Sequence, residues 1–173
     1  MNLIINKLVK LILVITCVSG VNINLASAES ASALVKIKAT VLAGCSLDAP
    51  DTVTLDKIPS SVFNGKTTGD DLDTYSKIFT LTATCSGTNK YKYTFKANEA
   101  DGSCIKTDAD FMRYCLKFDE NYLDLSSTTA TLERDSTKDG VKTEITVVPQ
   151  VASTSSTPVG DVNGQITVTI EPM

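Results

Sequence analysis

Apolar and polar residues alternate along the segment 33–45, which reads ALVKIKATVLAGC. Side chains two residues apart share one face of a β-strand, so this period predicts a strand with one apolar face. The other face carries Lys36, Lys38 and Thr40. The apolar positions are Ala33, Val35, Ile37, Ala39, Val41 and Ala43. Such a strand needs an apolar groove to lie in, either in its own chain or in another.

The two-residue period returns along the rest of the chain. It is clearest in KIFTLTATC at 77–85, KYKYTFK at 90–96 and QITVTI at 165–170. In the last of these segments Ile166, Val168 and Ile170 share one face. Each segment therefore predicts a half-buried strand.

Turn-forming residues separate these segments. They occur in GKTTGDD at 65–71, in RDSTKDG at 134–140 and in the polar connector ASTSSTPVGD at 152–161. No segment shows a helical period longer than a turn or two. The pattern predicts an all-β protein, an antiparallel β-sandwich of six or seven short strands.

Residues 1–28 have the organisation of a secretory signal peptide. Lys7 and Lys10 precede the apolar run LILVITCV, and Ala26-Ser27-Ala28 forms an A-x-A cleavage site. We expect the mature chain to begin at Glu29 and to be secreted. A membrane anchor is the alternative, but the apolar run is shorter than the roughly 20 residues of a spanning helix. Lipidation at Cys17 is a second, minor alternative.

Composition excludes several classes of function. Without the two signal-peptide lysines, 14 basic and 20 acidic residues remain, which is a formal charge of −6. This charge offers no basic surface for nucleic acid. The chain has no histidine, so Ser-His-Asp, Cys-His and histidine-based metal sites are excluded. Asp70, Asp71 and Asp73 are expected to be solvated loop residues. We therefore expect no enzyme activity, no cofactor, no metal site and no integral membrane segment in the mature chain.

Four cysteines remain after the signal peptide, and an oxidising compartment would pair them. Four cysteines allow three pairings, of which the strand pattern favours one. Cys45 and Cys85 each end an alternating run on its apolar parity, so their strands are expected to be neighbours. Cys104 and Cys115 would then close a local loop outside the main core and pin a hairpin. Zinc is the competing interpretation, but the chain has no C-x-x-C pair.

Taken together, these features resemble the subunits of fimbriae assembled by the chaperone–usher pathway of Gram-negative bacteria. The resemblance lies in the order of segments: a signal peptide, ALVKIKATV, VLAGCSL, VTLDKIPSSVF, KIFTLTATC and a last alternating strand after Gly160. Cys85 follows Cys45 by 40 residues. The resemblance covers nearly all of the mature chain.

Membership would imply an immunoglobulin-like sandwich that lacks its last strand and is completed by a donor strand. Residues 29–41 would form an N-terminal donor-strand extension, and residues 42–173 the pilin domain. The donor residues would be Ala33, Val35, Ile37, Ala39 and Val41. Ile166, Val168 and Ile170 would line one edge of the receiving groove and contact the chaperone.

The resemblance also implies partners and a location. A periplasmic chaperone would lend a strand to the groove, and at an outer-membrane usher the extension of a neighbouring subunit would replace it. The protein would pass through the periplasm into an extracellular fimbria. Because a tip adhesin needs a separate receptor-binding domain, we expect a shaft or minor structural subunit.

A different class of function stays open at this point. An alternating first strand is often an ordinary core strand of its own domain. On that interpretation the chain is a self-contained secreted β-sandwich that binds a glycan or another ligand through its loops. The N-terminal segment would then be protected inside a stable monomer.

Overall fold

The computed structural model describes residues 36–135 and 140–173. The predicted signal peptide, and Ala33 and Val35 of the predicted donor strand, lie outside the described residues. Ten strands are assigned in the described part: β1 (Gly44–Asp48), β2 (Lys77–Ser86), β3 (Lys90–Ala97), β4 (Ala100–Asp101), β5 (Cys104–Ile105), β6 (Met112–Phe118), β7 (Asn121–Tyr122), β8 (Thr129–Asp135), β9 (Val141–Val151) and β10 (Ile166–Pro172).

The strands form two antiparallel sheets. The larger sheet has the order β1-β2-β9-β6-β5-β4, with β7 paired to β6. The smaller sheet has the order β10-β3-β8. The predicted all-β sandwich is confirmed. The strand count was too low, because β4, β5 and β7 are only two residues long and leave no periodic signal.

One apolar core lies between the two sheets. The alternation of β3 places Tyr91, Tyr93 and Phe95 on its inner face, where none of the three is exposed. They pack against fully buried side chains of the larger sheet, among them Leu81, Leu116 and Ile145. The two-residue period of the sequence thus reports burial directly.

Strand β1 is shorter than predicted. The alternating segment 33–45 predicts a strand, but the chain has no regular structure at residues 36–43, and β1 begins only at Gly44. The reason is the register: Gly44 pairs with Ser86, where β2 ends, so β2 offers residues before Gly44 no further hydrogen bonds. Val41 and Leu42 are 93% and 80% exposed.

Two disulfides are present, with the predicted pairing. Cys45–Cys85 joins the facing residues of β1 and β2. Cys104–Cys115 joins β5 to β6. Cys115 lies on the opposite face of β6 from Leu116, outside the main core as expected. Both cysteines of this second disulfide are nevertheless buried. The second bridge therefore has a cover of its own, which the sequence did not predict.

The long connection between β1 and β2 is the other main irregular region. It contains two short 3-10 helices, Ser60–Phe63 and Asp73–Tyr75. A second small apolar cluster, built around Leu72, Phe111, Met112 and Val151, holds this connection to the end of the larger sheet. No helix among the described residues is long and apolar enough to cross a membrane.

Candidate functional site

The edge strands β1 and β10 of the two sheets lie on the same side of the sandwich. Neither pairs along its outer edge with another described strand. In the described part of the chain β1 pairs only with β2, and β10 pairs only with β3. Cα atoms of β1 and β10 approach within 8 Å of each other, but no ladder of hydrogen bonds joins the two strands. We call this region, formed by β1, residues 49–57 and β10, the open side.

The apolar core is incompletely covered at the open side. Val168 on β10 stands opposite Phe95 on β3, and Ile170 stands opposite Tyr93. The β3 side chains are fully buried, whereas Ile166, Val168 and Ile170 are only partly buried although they pack against the same core. Apolar side chains that face a core and still meet water mark a groove that another apolar element can fill.

Residues 49–57 form the second bank of this groove. Val53 and Leu55 are partly buried and pack against the core, while Thr52, Thr54 and Asp56 are exposed. This is the alternation of a strand, yet the segment makes no backbone–backbone hydrogen bond with any other described residue. Its N–H and C=O groups are therefore free to pair with an added strand.

This arrangement favours strand addition. A strand laid between β10 and residues 49–57 would gain main-chain hydrogen bonds from its neighbours and bury alternate side chains in the core. Each aliphatic side chain that becomes fully buried contributes about 1.5–3 kcal/mol. The same addition would remove a free sheet edge, which is otherwise a site of aggregation.

A polar network lies on the opposite part of the larger sheet, over β6 and β9. Asp71 accepts hydrogen bonds from Tyr122 Oη, from Gln150 Nε2 at 2.8 Å and from Lys117 Nζ at 3.4 Å. Gln150 in turn accepts one at 2.7 Å from Arg113 Nε. We call these five side chains the Asp71 network.

The Asp71 network corrects one sequence-based expectation. Asp71 was expected to be a solvated loop residue, but it is partly buried and forms an isolated β-bridge with Gln150. Burial opposes its ionisation, but the hydrogen bonds from Tyr122, Gln150 and Lys117 outweigh that effect and lower its pKa. Asp70 is also partly buried and accepts a hydrogen bond at 2.8 Å from the Thr67 N–H, whereas the side chain of Asp73 is 71% exposed.

The loops form a cleft of about 300 Å³ at another surface. Phe63, Lys66, Ser153, Thr154 and Pro158 are among its lining residues. The lining thus combines an aromatic ring, which packs against Phe111, with hydroxyl groups. In residues 36–135 and 140–173, no group of three or more histidine, cysteine or acidic side chains is arranged to hold a metal ion.

The fold resembles that of solved pilus proteins. The crystal structure of the P pilus rod subunit PapA superimposes with a TM-score of 0.57 at 9% identity, over 75% of this chain and 99% of that one. This chain has the fold of a pilus subunit. The CupB6 tip adhesin from Pseudomonas aeruginosa gives a TM-score of 0.50 at 13% identity, over 74% of this chain and 42% of that one.

The comparisons establish the fold rather than the activity, because both identities are low. No protein-family model and no curated protein matches the sequence. The predicted immunoglobulin-like sandwich of pilin type is nevertheless confirmed.

The structure places the predicted site residues in two groups. Ile166, Val168 and Ile170 lie together on the inner face of β10, at the open side. Of the predicted donor residues, Ile37, Ala39 and Val41 are exposed and have no regular structure. The bank at residues 49–57 was not singled out as a site, although the alternation of Val53 and Leu55 could have indicated it.

Proposed function

We propose that this protein is a structural subunit, of the shaft or a minor position, in an adhesive bacterial fimbria. Subunits join by donor-strand exchange after a periplasmic chaperone delivers them to an outer-membrane usher. One observation carries the proposal: β10 turns three aliphatic side chains toward the core without burying them fully, beside a strand whose inner face is fully buried. The core of this chain lacks a cover that one more strand would supply.

The N-terminal extension, residues 29–41, has the pattern of such a strand. Ala33, Val35, Ile37, Ala39 and Val41 repeat every second position, which matches the alternation of an inward-facing strand. Ile37 and Val41 are 91% and 93% exposed. Exposed aliphatic side chains at this spacing favour an apolar groove as their destination, and the open side of a second copy has one.

The same open side explains the need for a chaperone. A free sheet edge beside partly exposed aliphatic side chains pairs readily with any other edge, including that of an identical chain. A chaperone that lends its own strand would cover the groove until the extension of the next subunit replaces it. The assembled junction would then have both main-chain hydrogen bonds and apolar burial.

The decisive experiment expresses the chain in a Gram-negative periplasm, with and without residues 29–39. We expect the full chain to give a ladder of oligomers on a denaturing gel when the sample is not boiled. The ladder should vanish on boiling and on deletion of the segment.

A matched pair of variants tests whether the ladder needs the groove-facing side chains or only the presence of the segment. Val35→Asp with Ile37→Asp places two charges on the inward parity and should abolish the ladder. Leu34→Asp with Thr40→Asp adds the same charge on the outward parity and should retain most of it. A well-folded monomer from every chain, the unmodified one included, would contradict the proposal and favour a ligand-binding sandwich with its cleft in the loops.

A further inference from the structure

Charged side chains alternate in sign across the outer face of the three-stranded sheet. Glu133 on β8 stands opposite Lys92 on β3, and Lys92 stands opposite Glu171 on β10. Lys92 Nζ lies 3.3 Å from Glu171 Oε2. Because opposite charges directly across neighbouring strands stabilise the pair, this acid–base–acid row supports the register of the sheet.

The row ends at the open side. Glu171 lies on the free edge of β10, and its side chain is 63% exposed. A strand added to this edge would place one of its outward side chains directly opposite Glu171. A basic side chain at that point would continue the alternation of charge by one position.

The N-terminal extension has basic residues on its outward parity. Lys36 and Lys38 alternate with Val35, Ile37 and Ala39. The only acidic residue of the extension is Glu29, at its start. The charge of the extension is therefore complementary to the carboxylate that ends the row on β10.

The position of the apolar residues decides between the two lysines. All pairs in the smaller sheet are antiparallel, and an antiparallel extension with Lys36 opposite Glu171 places its apolar residues opposite those of β10. The resulting apolar pairs are Ile37 with Ile170, Ala39 with Val168 and Val41 with Ile166. With Lys38 opposite Glu171, Ala43 would have to reach Ile166, directly before β1 of the donating subunit begins at Gly44.

We infer that Lys36 of one copy binds Glu171 of a second copy and so sets the register in which the extension enters the groove. The inference rests on the proposed function and adds a residue pair that selects both register and partner. Apolar side chains at a spacing of two tolerate a slip of two residues, because the same face stays inward. A charge pair at the edge penalises that slip.

Cysteine cross-linking in the full chain tests the register. The double variant Lys36→Cys with Glu171→Cys should give disulfide-linked oligomers that survive boiling and disappear on reduction. Lys38→Cys with Glu171→Cys is the matched control, and it should give few or none. The three single variants, Lys36→Cys, Lys38→Cys and Glu171→Cys, identify bonds formed with the native cysteines.

Charge reversal tests the energetics. Lys36→Glu places two carboxylates opposite each other, and we expect about tenfold less ladder than the unmodified chain gives at low salt. Lys38→Glu makes the same change of charge two residues away and should cost clearly less. High salt should narrow the difference, because the pair is exposed.

The outcomes separate this inference from the function on which it rests. If the unmodified chain forms no ladder, the proposed function fails. If it forms one, but Lys38 rather than Lys36 cross-links to position 171, or both charge reversals act equally, the Lys36–Glu171 register is wrong while strand exchange stands.

Discussion

The open side and the part of the larger sheet under the Asp71 network differ in how completely their apolar side chains are covered. At the open side, aliphatic side chains face the core but stay partly exposed. Among the described residues, neither residues 49–57 nor the outer edge of β10 pairs with a strand. Under the Asp71 network a disulfide joins β5 to β6, and Val148 and Cys115 are at most 1% exposed. The chain thus covers one region with its own residues, whereas the aliphatic side chains of β10 at the other stay partly exposed.

The difference teaches where stability and assembly are located. We call the part of β6 and β9 under the Asp71 network the covered region. Its residues act within one chain, so substitutions there should change the free energy of unfolding. Residues of the open side act between chains on the proposed function, so substitutions there should change oligomer formation more than folding. Two matched valines, one in each region, test this division most strongly.

Val148→Asp should have the largest effect on folding. Its side chain is 1% exposed and stands opposite Cys115, so the variant would bury a carboxylate whose cationic neighbours on that face, Arg113 and Lys117, already bind Gln150 and Asp71. Such burial costs several kcal/mol, of the order of 4 or more, which is a large share of a domain's stability. Urea denaturation of the periplasmic protein measures the loss.

Val168→Asp is the counterpart on the open side. Because Val168 is only partly buried, its aspartate can stay hydrated, and we expect a smaller loss of stability together with loss of the oligomer ladder. Equal destabilisation by the two substitutions would show that β10 belongs to the core in the same way as β9. It would contradict the division between the open side and the covered region.

Removing the second disulfide should have the next largest effect. Cys104 and Cys115 are 11 residues apart, and on the chain-entropy model a loop of this length contributes about 3 kcal/mol. The double variant Cys104→Ser with Cys115→Ser should therefore unfold at lower urea concentration. Since the bridge lies away from the open side, the ladder formed by the remaining folded protein should be unchanged. Loss of the ladder in a variant that still folds would show that the second disulfide also affects the open side.

Sequence reasoning recovered the regions whose signal is local. The segments KIFTLTATC and KYKYTFK became β2 and β3, and the last alternating segment became β10, because alternation within one strand reports its buried face. The pairing of Cys45 with Cys85 followed from the same parity.

The regions it missed depend on residues far apart in the chain. The hydrogen-bond partners of Asp71 lie 46, 51 and 79 residues away, so no local pattern distinguishes Asp71 from the exposed Asp73. The groove was predicted through the resemblance to pilus subunits, since a missing strand leaves no sequence of its own. The bank at residues 49–57 has the alternation of a strand but lacks its ladder, and periodicity does not report hydrogen bonds.

The smallest expected effect concerns the pH dependence of the covered region. The pKa of Asp71 is lowered in the folded chain, so its ionised form stabilises the fold above its ordinary pKa of 3.8, and this contribution is lost as the pH falls through the lowered value. Asp71→Asn should cost about 1.5 kcal/mol at pH 7 and flatten the fall in stability below pH 3.8. Asp73→Asn is the control: its side chain is 71% exposed and contacts the same lysine at 3.5 Å, so it should cost at most about 0.5 kcal/mol. Urea midpoints measured between acidic and neutral pH distinguish the two, and an equal response would mean that the network adds no more than a surface ion pair.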